Sequence, residues 1–199
     1  GHMKTSAALN LALSYQNETV YSVWSDLTAS IGTVASVWQD DPAAPGIAAL
    51  RRKLYAPLGA RLGWVAKEGE PPLDALLRAV ALAQLVKANH TETVAEARRQ
   101  FDLWATSIES GTEQENALAV DLRHTISMAA VRYGDEKDWE RVQALYRKVE
   151  MQEEKIRLMR ALAATKDEKL VKRTFEWGLS DDVRNQDLFY VVGTLAAVN

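Results

Sequence analysis

Between Gln152 and Val198 the chain runs through one pattern three times: an apolar stripe at helical spacing, then a short polar break. Ile156, Met159, Leu162 and Ala163 form the first stripe, Leu170, Val171, Thr174 and Phe175 the second, and Leu188, Phe189, Val192 and Leu195 the third. Each piece reads as an amphipathic helix. Thr165-Lys166-Asp167-Glu168 has the form of a capping box, in which Thr165 and Glu168 would satisfy each other's free backbone donors. Gly178 is placed to take a left-handed conformation, and Ser180 to Asn185 supplies a polar break with Asn185 as the next N-cap. Turns this short leave neighbouring helices antiparallel, and no stripe can be buried by its own helix. The expected fold is therefore all-α, an α-solenoid of antiparallel helix pairs (a HEAT/armadillo-like superhelix) with about ten helices.

The same reading extends through the rest of the chain. Lys4 to Tyr15 gives a short helix, and Glu18 to Trp38 a long one through Val20, Val23, Trp24, Leu27, Ile31 and Val34, with a bend or break expected at Gly32. Asp40 to Gly46 reads as a loop. Helix resumes at Ile47 with Leu50, Leu54 and Leu58 on one face, and Pro57 is expected to kink it or end it early. Pro72 suits a first helical turn. From Leu73 to Val86 the apolar set, Leu73, Leu76, Leu77, Val80, Leu82, Leu85 and Val86, covers more than one face and predicts a helix packed on two sides. Thr91 to Ile108 has one stripe of Val94, Ala97, Phe101 and Trp104, ended by Gly111, and Thr112 to Glu115 offers another capping box. Leu118, Leu122, Ile126 and Ala129 lead to Gly134; Trp139, Val142, Leu145, Tyr146 and Val149 follow. Pairs starting near 73, 116 and 152 set a loose period of about 40 residues, within the HEAT range.

Composition narrows the function classes. A net charge of −3 with interspersed signs leaves no basic block to displace counterions from a phosphate backbone, so nucleic acid is not an expected partner. No apolar run is long enough to span a bilayer, so neither is a membrane. The chain has no cysteine, which removes disulfides and thiolate metal sites and points to a reducing, cytoplasmic location. Gly1-His2-Met3 has the form of a cleaved-tag remnant, leaving residues 4–199 as one expected helical-repeat domain. The abrupt start at Lys4 and the unpaired last helix lead to the expectation that it is cut from a larger domain.

Several segments carry a resemblance. They are Glu154-Lys155, Arg160-Ala161-Leu162, Asp167 followed by Leu170, Leu179-Ser180, Val183-Arg184 and Gln186-Asp187. Asn17-Glu18-Thr19 running into Val23-Trp24-Ser25, and Arg61-Leu62-Gly63-Trp64, add to it. Together they resemble the helical C-terminal domain of the gluzincin zinc aminopeptidases, the family of puromycin-sensitive and endoplasmic-reticulum aminopeptidases and their fungal relatives. The resemblance implies a non-catalytic domain that covers the active site of an upstream catalytic domain in the same chain and shapes the access and length of a peptide substrate. It also implies one zinc ion, held in that catalytic domain and not here. The competing expectation, from the helices alone, is a free-standing α-solenoid scaffold that binds a protein partner.

The residues themselves offer no catalytic or metal-binding set. A hydrolytic zinc site takes three protein ligands, in that family from a His-Glu-x-x-His helix and a later glutamate, and the motif is absent. His90, at a helix start, and His124, inside a helix, are read as a capping or solvent-facing pair of isolated imidazoles. The adjacent acids Asp40-Asp41, Glu153-Glu154 and Asp181-Asp182 do not face each other on a helix and are read as caps or solvated groups. Trp24, Trp104, Trp139 and Trp177 are read as core, and the run Lys166 to Arg173 as a solvated helix face. Arg184 to Asp187 is open to two readings: a contact to peptide or to the catalytic domain, or capping by Asn185 with a local ion pair, which is favoured. Substrate-binding residues are not assigned.

Overall fold

The computed structural model describes residues 3–112 and 118–198, and among them every regular element is helical. Ten α-helices follow in order: α1 (Thr5–Ala12), α2 (Tyr21–Val37), α3 (Ala44–Leu62), α4 (Pro72–Lys87), α5 (Thr91–Ser110), α6 (Arg123–Tyr133), α7 (Glu136–Lys148), α8 (Gln152–Leu162), α9 (Glu168–Gly178) and α10 (Leu188–Val198). The all-α expectation holds. The capping box expected at Thr112 to Glu115 falls largely outside the described residues. The chain forms two compact units, Gly1–Thr93 and Val94–Asn199.

In the first unit, α2, α3 and α4 enclose a core of Trp24, Ile31, Ile47, Leu54, Tyr55, Leu58, Leu62, Leu77, Ala81 and Leu85. The rings of Trp24 and Tyr55 lie 5.1 Å apart. Their polar ends are satisfied: the Trp24 indole N–H donates to the Glu18 carbonyl at 3.0 Å, and the Tyr55 hydroxyl meets Thr28 Oγ1 at 2.6 Å. At Gly59 a Cβ would come within 2.7 Å of Leu85 Cδ1, so Leu85 would have to shift to admit a side chain where α3 and α4 cross.

Pro57 does not end α3, which continues to Leu62. A proline inside a helix leaves the carbonyl four residues earlier without its N–H donor. Here that carbonyl belongs to Lys53, and the Gln16 amide donates to it at 3.1 Å. Gly32 likewise leaves α2 unbroken, since burial of Trp24 and Ile31 on the same helix outweighs a propensity penalty of about 1 kcal/mol. α4 starts with Pro72 at its first position, but the first turn is less buried than its apolar content suggests. Leu73 and Leu76 are exposed, and the broad buried face begins at Leu77. α4 ends in a left-handed Asn89 (φ 53°), with the His90 N–H bonded to the Leu85 carbonyl and the Asn89 N–H to that of Val86. This is a Schellman closure with asparagine in the glycine position.

Arg78 is buried in α4 and carries its charge inward. Its guanidinium donates to the Leu62 carbonyl at the end of α3 and to both carboxylate oxygens of Glu70, the closer at 2.5 Å. Glu70 also accepts from the Lys67 N–H, so one buried arginine fixes the whole α3–α4 connection.

The second unit repeats itself. α6 packs on α8 and α8 on α10, while α7 bridges α6 and α8. α5, α7 and α9 are joined by side chains at nearly constant sequence separation. Arg141 of α7 reaches back to Asp102, Thr106 and Glu109 of α5 at 2.8–3.0 Å. Arg173 of α9 reaches back to Glu136 and Glu140 of α7 at 2.7 and 2.8 Å. Each guanidinium also lies over an aromatic ring of the preceding helix, Arg141 over Phe101 at 5.7 Å and Arg173 over Trp139 at 4.5 Å. These side-chain links span between 32 and 39 residues of sequence.

Several local readings of this half are corrected. The break before α9 is capped by Asp167, whose carboxylate accepts from the Lys169 and Leu170 N–H groups, while Thr165 accepts from Asp167; Glu168 closes no box. Gly178 is helical, not left-handed. It stays small because a Cβ would lie 3.1 Å from Val191 and 3.3 Å from Leu188, where α10 crosses α9. The buried stripe of α9 is Leu170, Thr174 and Trp177, with Phe175 exposed; that of α10 is Val191 and Leu195, with Phe189 73% and Val192 38% exposed. In α8 the buried set shifts from Ile156 to Leu158.

Candidate functional site

The segment between α9 and α10 carries the most specific part of the sequence reading, and three helices, α7, α8 and α9, hold it. Asp182 receives both the Nε and Nη2 of Arg147 at 3.0 and 2.6 Å, and the Trp177 indole N–H at 3.3 Å. The hydrogen bonds from Arg147, followed by that guanidinium's charge, outweigh burial and hold the Asp182 carboxyl below the usual carboxylate range. The Tyr146 hydroxyl donates to the Asp182 carbonyl at 2.9 Å, its ring meets Trp177 edge-on at 5.0 Å, and Lys155 sits over its other side at 4.9 Å. Burial, with the Asp187 and Asp182 carboxylates nearby, pushes the Tyr146 phenol up.

The expected ion pair of Arg184 and Asp187 is present at 2.7 Å, and Gln152 at the start of α8 donates to the same Asp187 oxygen at 2.9 Å. Asp187 is buried. Asn185 is not a cap: α10 begins at Leu188 after a single 3₁₀ turn, and Arg184 stands before that turn with no side-chain capping bond. Asn185 and Gln186 point to solvent. The structure thus brings Arg184 and Asp187 together and leaves the two residues between them outside the cluster. Their charges are spent on each other and on Gln152, which makes the cluster a clasp holding the α9–α10 connection to α8.

The paired acids separate. Asp41 accepts from the Ala43 N–H as a turn cap. Glu154, read with Glu153 as solvated, is 4% exposed. It lies between the guanidiniums of Arg157 on its own helix and Arg123 on α6, the latter 3.6 Å away, and its second carboxylate oxygen has no hydrogen-bond partner. The only sequence signal for it is its place in the Glu154-Lys155 segment; burial depends on Arg123, a helix away. His90 Nδ1 meets Thr93 Oγ1 at 2.9 Å, and His124 Nδ1 lies 3.2 Å from the Arg157 carbonyl. All four tryptophans named as core are buried. The run Lys166 to Arg173 faces solvent except at Leu170 and partly at Val171 and Arg173.

Among the described residues no three His, Cys, Asp or Glu side chains converge as metal donors. With His90 held by Thr93 and His124 against Arg157, the described residues do not fit a zinc ion. Among the same residues no helix is long and apolar enough to cross a membrane.

Residues 1–199 match the family model described as the ERAP1-like C-terminal domain. The chain belongs to that family. The ERAP1-like domain is 31% identical to Aminopeptidase M1-A of Oryza sativa subsp. japonica over 99% of its length. It is 30% identical to Aminopeptidase M1 of Arabidopsis thaliana over 93%, and 28% identical to Aminopeptidase 2 of Candida albicans over 99%. It covers only 22%, 21% and 21% of those three relatives, so the chain spans about a fifth of the length of the curated relatives it matches.

Proposed function

We propose that this ERAP1-like domain serves a zinc aminopeptidase as a non-catalytic wall, packing with an upstream catalytic domain of the same chain, covering its active site and limiting the length of peptide that enters. The observation that carries the reading is the match of the whole chain to a C-terminal domain family, together with relatives named as aminopeptidases that are nearly five times longer. The side chains of the domain support a structural role: Arg141, Arg173, Arg147 and Arg184 are paired with acids as struts and clasps, and the donor set of the described residues does not suit zinc. The zinc that polarises the scissile carbonyl and activates water would then be held by the catalytic domain. Stacked helix pairs of the HEAT-like type can wall a chamber that excludes water and orders a peptide without supplying one reacting group.

The test compares the catalytic portion with and without this domain, after both are shown to fold and retain zinc. An amino acid attached to a dye needs only the metal site, whereas a peptide of several residues also needs the wall. Removal is expected to change kcat/KM for long peptides more than for the dye substrate, with partial recovery when the purified domain is added back. Equal changes for every substrate length would overturn the length filter.

A further inference from the structure

The chain before α2 is held to the rest of its unit by one narrow face. In α1 and the 3₁₀ turn that follows it (Leu13–Asn17), Leu9, Ala12, Leu13 and Gln16 fall at the i, i+3, i+4 and i+7 positions. Ala12 is buried, Leu9 and Leu13 pack partly buried against the core of α2, α3 and α4, and the 3₁₀ turn lies on α3. The other side chains from Lys4 to Asn17 are exposed. Among the described residues, the one hydrogen bond from this arm to another helix is that of the Gln16 amide to the Lys53 carbonyl, at 3.1 Å. Pro57 has no N–H to give that carbonyl, so the arm fills a gap in the backbone ladder of α3. Glu18, the next residue, is fixed instead to the start of α2. Its carboxylate accepts from the Thr19 and Val20 N–H groups at 2.6 and 2.8 Å, and its carbonyl from the Trp24 indole at 3.0 Å.

We propose that residues 4–17 form a reversible strap, which opens as one unit about Glu18 while α2, α3 and α4 stay folded, with Gln16 as its latch on the proline gap of α3. Three observations carry this. A single stripe, buried only at Ala12, is little area to hold a helix and a turn, and segments with few buried contacts are the ones that open locally. Opening also strands no buried group: Lys53 and Pro57 are exposed, so water takes up the carbonyl that Gln16 leaves. The boundary is sharp, because Trp24, which holds Glu18, is fully buried in the core. The closed strap bridges the break in α3 and covers the side of the core that Leu9 and Leu13 touch; the open one leaves both to solvent. The proposal is independent of the aminopeptidase reading.

Native-state hydrogen exchange of the 199-residue chain, read residue by residue by NMR, tests this. The hydrogen-bonded amides from Leu9 to Asn17 are expected to share one opening free energy, well below that of α2, α3 and α4 and only weakly dependent on urea. Gln16→Ala should speed exchange in the arm about fivefold, the worth of one hydrogen bond, and leave α4 unchanged. Pro57→Ala returns an N–H to the Lys53 carbonyl, so in that background Gln16→Ala should change arm exchange by less than about twofold. Leu13→Ser, which weakens the stripe and leaves the latch, should speed the arm in both backgrounds. Protection that climbs steadily from Leu9 to Asn17 would be end fraying and would overturn the strap, as would arm amides that exchange only with global unfolding. A Gln16→Ala effect of equal size with and without Pro57 would overturn the latch.

Discussion

The junctions α5–α7 and α7–α9 are built from the same parts and finished differently. In each, an arginine reaches back to two acids of the preceding helix and lies over an aromatic ring there. Each also contains a fully buried tryptophan, Trp104 in α5 and Trp139 in α7. The Trp139 indole N–H donates to Thr174 Oγ1 at 3.0 Å, and the Thr174 hydroxyl in turn donates a hydrogen bond to the Leu170 carbonyl at 2.6 Å. The Trp104 N–H has no hydrogen-bond partner among the described residues. Repetition therefore preserves the exposed charged strut and the aromatic volume, while the buried hydrogen bond is specific to one junction. An unmet buried donor costs about 1–3 kcal/mol, so the α7–α9 junction should be the stiffer of the two.

Truncation should separate them most. Trp139→Ala is expected to cost about 3–5 kcal/mol in urea or guanidinium unfolding, because it leaves a large void, removes the donor to Thr174 Oγ1 and takes away the ring under Arg173. Trp104→Ala opens a void of similar size and loses no indole hydrogen bond, so it should cost less. An equal or larger loss at Trp104 would break the comparison. Trp→Phe sharpens it, since both replacements remove similar volume. Trp139→Phe should exceed Trp104→Phe by about 1 kcal/mol, the worth of one buried hydrogen bond. Equal midpoints would mean that the bond to Thr174 adds nothing net.

How far the sequence foretells such detail varies with the contrast between a helix's faces. α7 alternates charged residues with Trp139, Val142, Leu145 and Tyr146, so its period also sets its phase, and those four are the ones buried. α10 is apolar almost all round. Its period is legible but its phase is not, and the contacts of Val191 and Leu188 with Gly178 decide which residues turn inward. Glycine is ambiguous in the same way: at Gly111 it takes a left-handed turn (φ 76°), whereas at Gly178 it makes room for a crossing helix. In the clasp, the local pair Arg184–Asp187 was readable because its members share one turn. The bonds that complete it, from Gln152, Arg147 and Tyr146, come from 35–36 residues away, beyond what a local pattern encodes.

The struts should matter less than the indoles, and unequally. Arg141→Met removes a guanidinium bonded to Asp102, Thr106 and Glu109; Arg173→Met removes one bonded to two glutamates on a more exposed surface. Exposed ion pairs contribute about 1 kcal/mol at most, so the expected losses are roughly 1 kcal/mol for Arg141→Met and about half of that for Arg173→Met. Raising the salt to about 1 M should shrink both differences, because the Debye length falls to about 3 Å. A loss that ignores salt would assign the arginines to packing over Phe101 and Trp139 instead of to charge.

The smallest effect is in acid. Hydrogen bonding to Arg141, against the opposing effect of burial, holds the Glu109 carboxyl below its ordinary value, with Arg141 and Lys148 adding favourable charge. A carboxyl whose folded pKa is depressed stabilises the fold fully above its unfolded pKa, and loses that contribution as pH falls through the folded value. For glutamate the window lies below about pH 4.3. Glu109→Gln should therefore lower stability at neutral pH by less than about 1 kcal/mol, given how exposed the pair is, and the deficit should close as the pH drops through that window. The indole–hydroxyl bond of Trp139 and Thr174 has no group that titrates there, so the penalty of Trp139→Phe relative to Trp104→Phe should persist at the acid end of the native range. The measurement is a series of urea midpoints between pH 7 and the onset of acid unfolding for Glu109→Gln and the two Trp→Phe variants. If the Glu109→Gln deficit held constant on acidification, its link with Arg141 would contribute through geometry and not charge. The two junctions would then differ in their tryptophans alone.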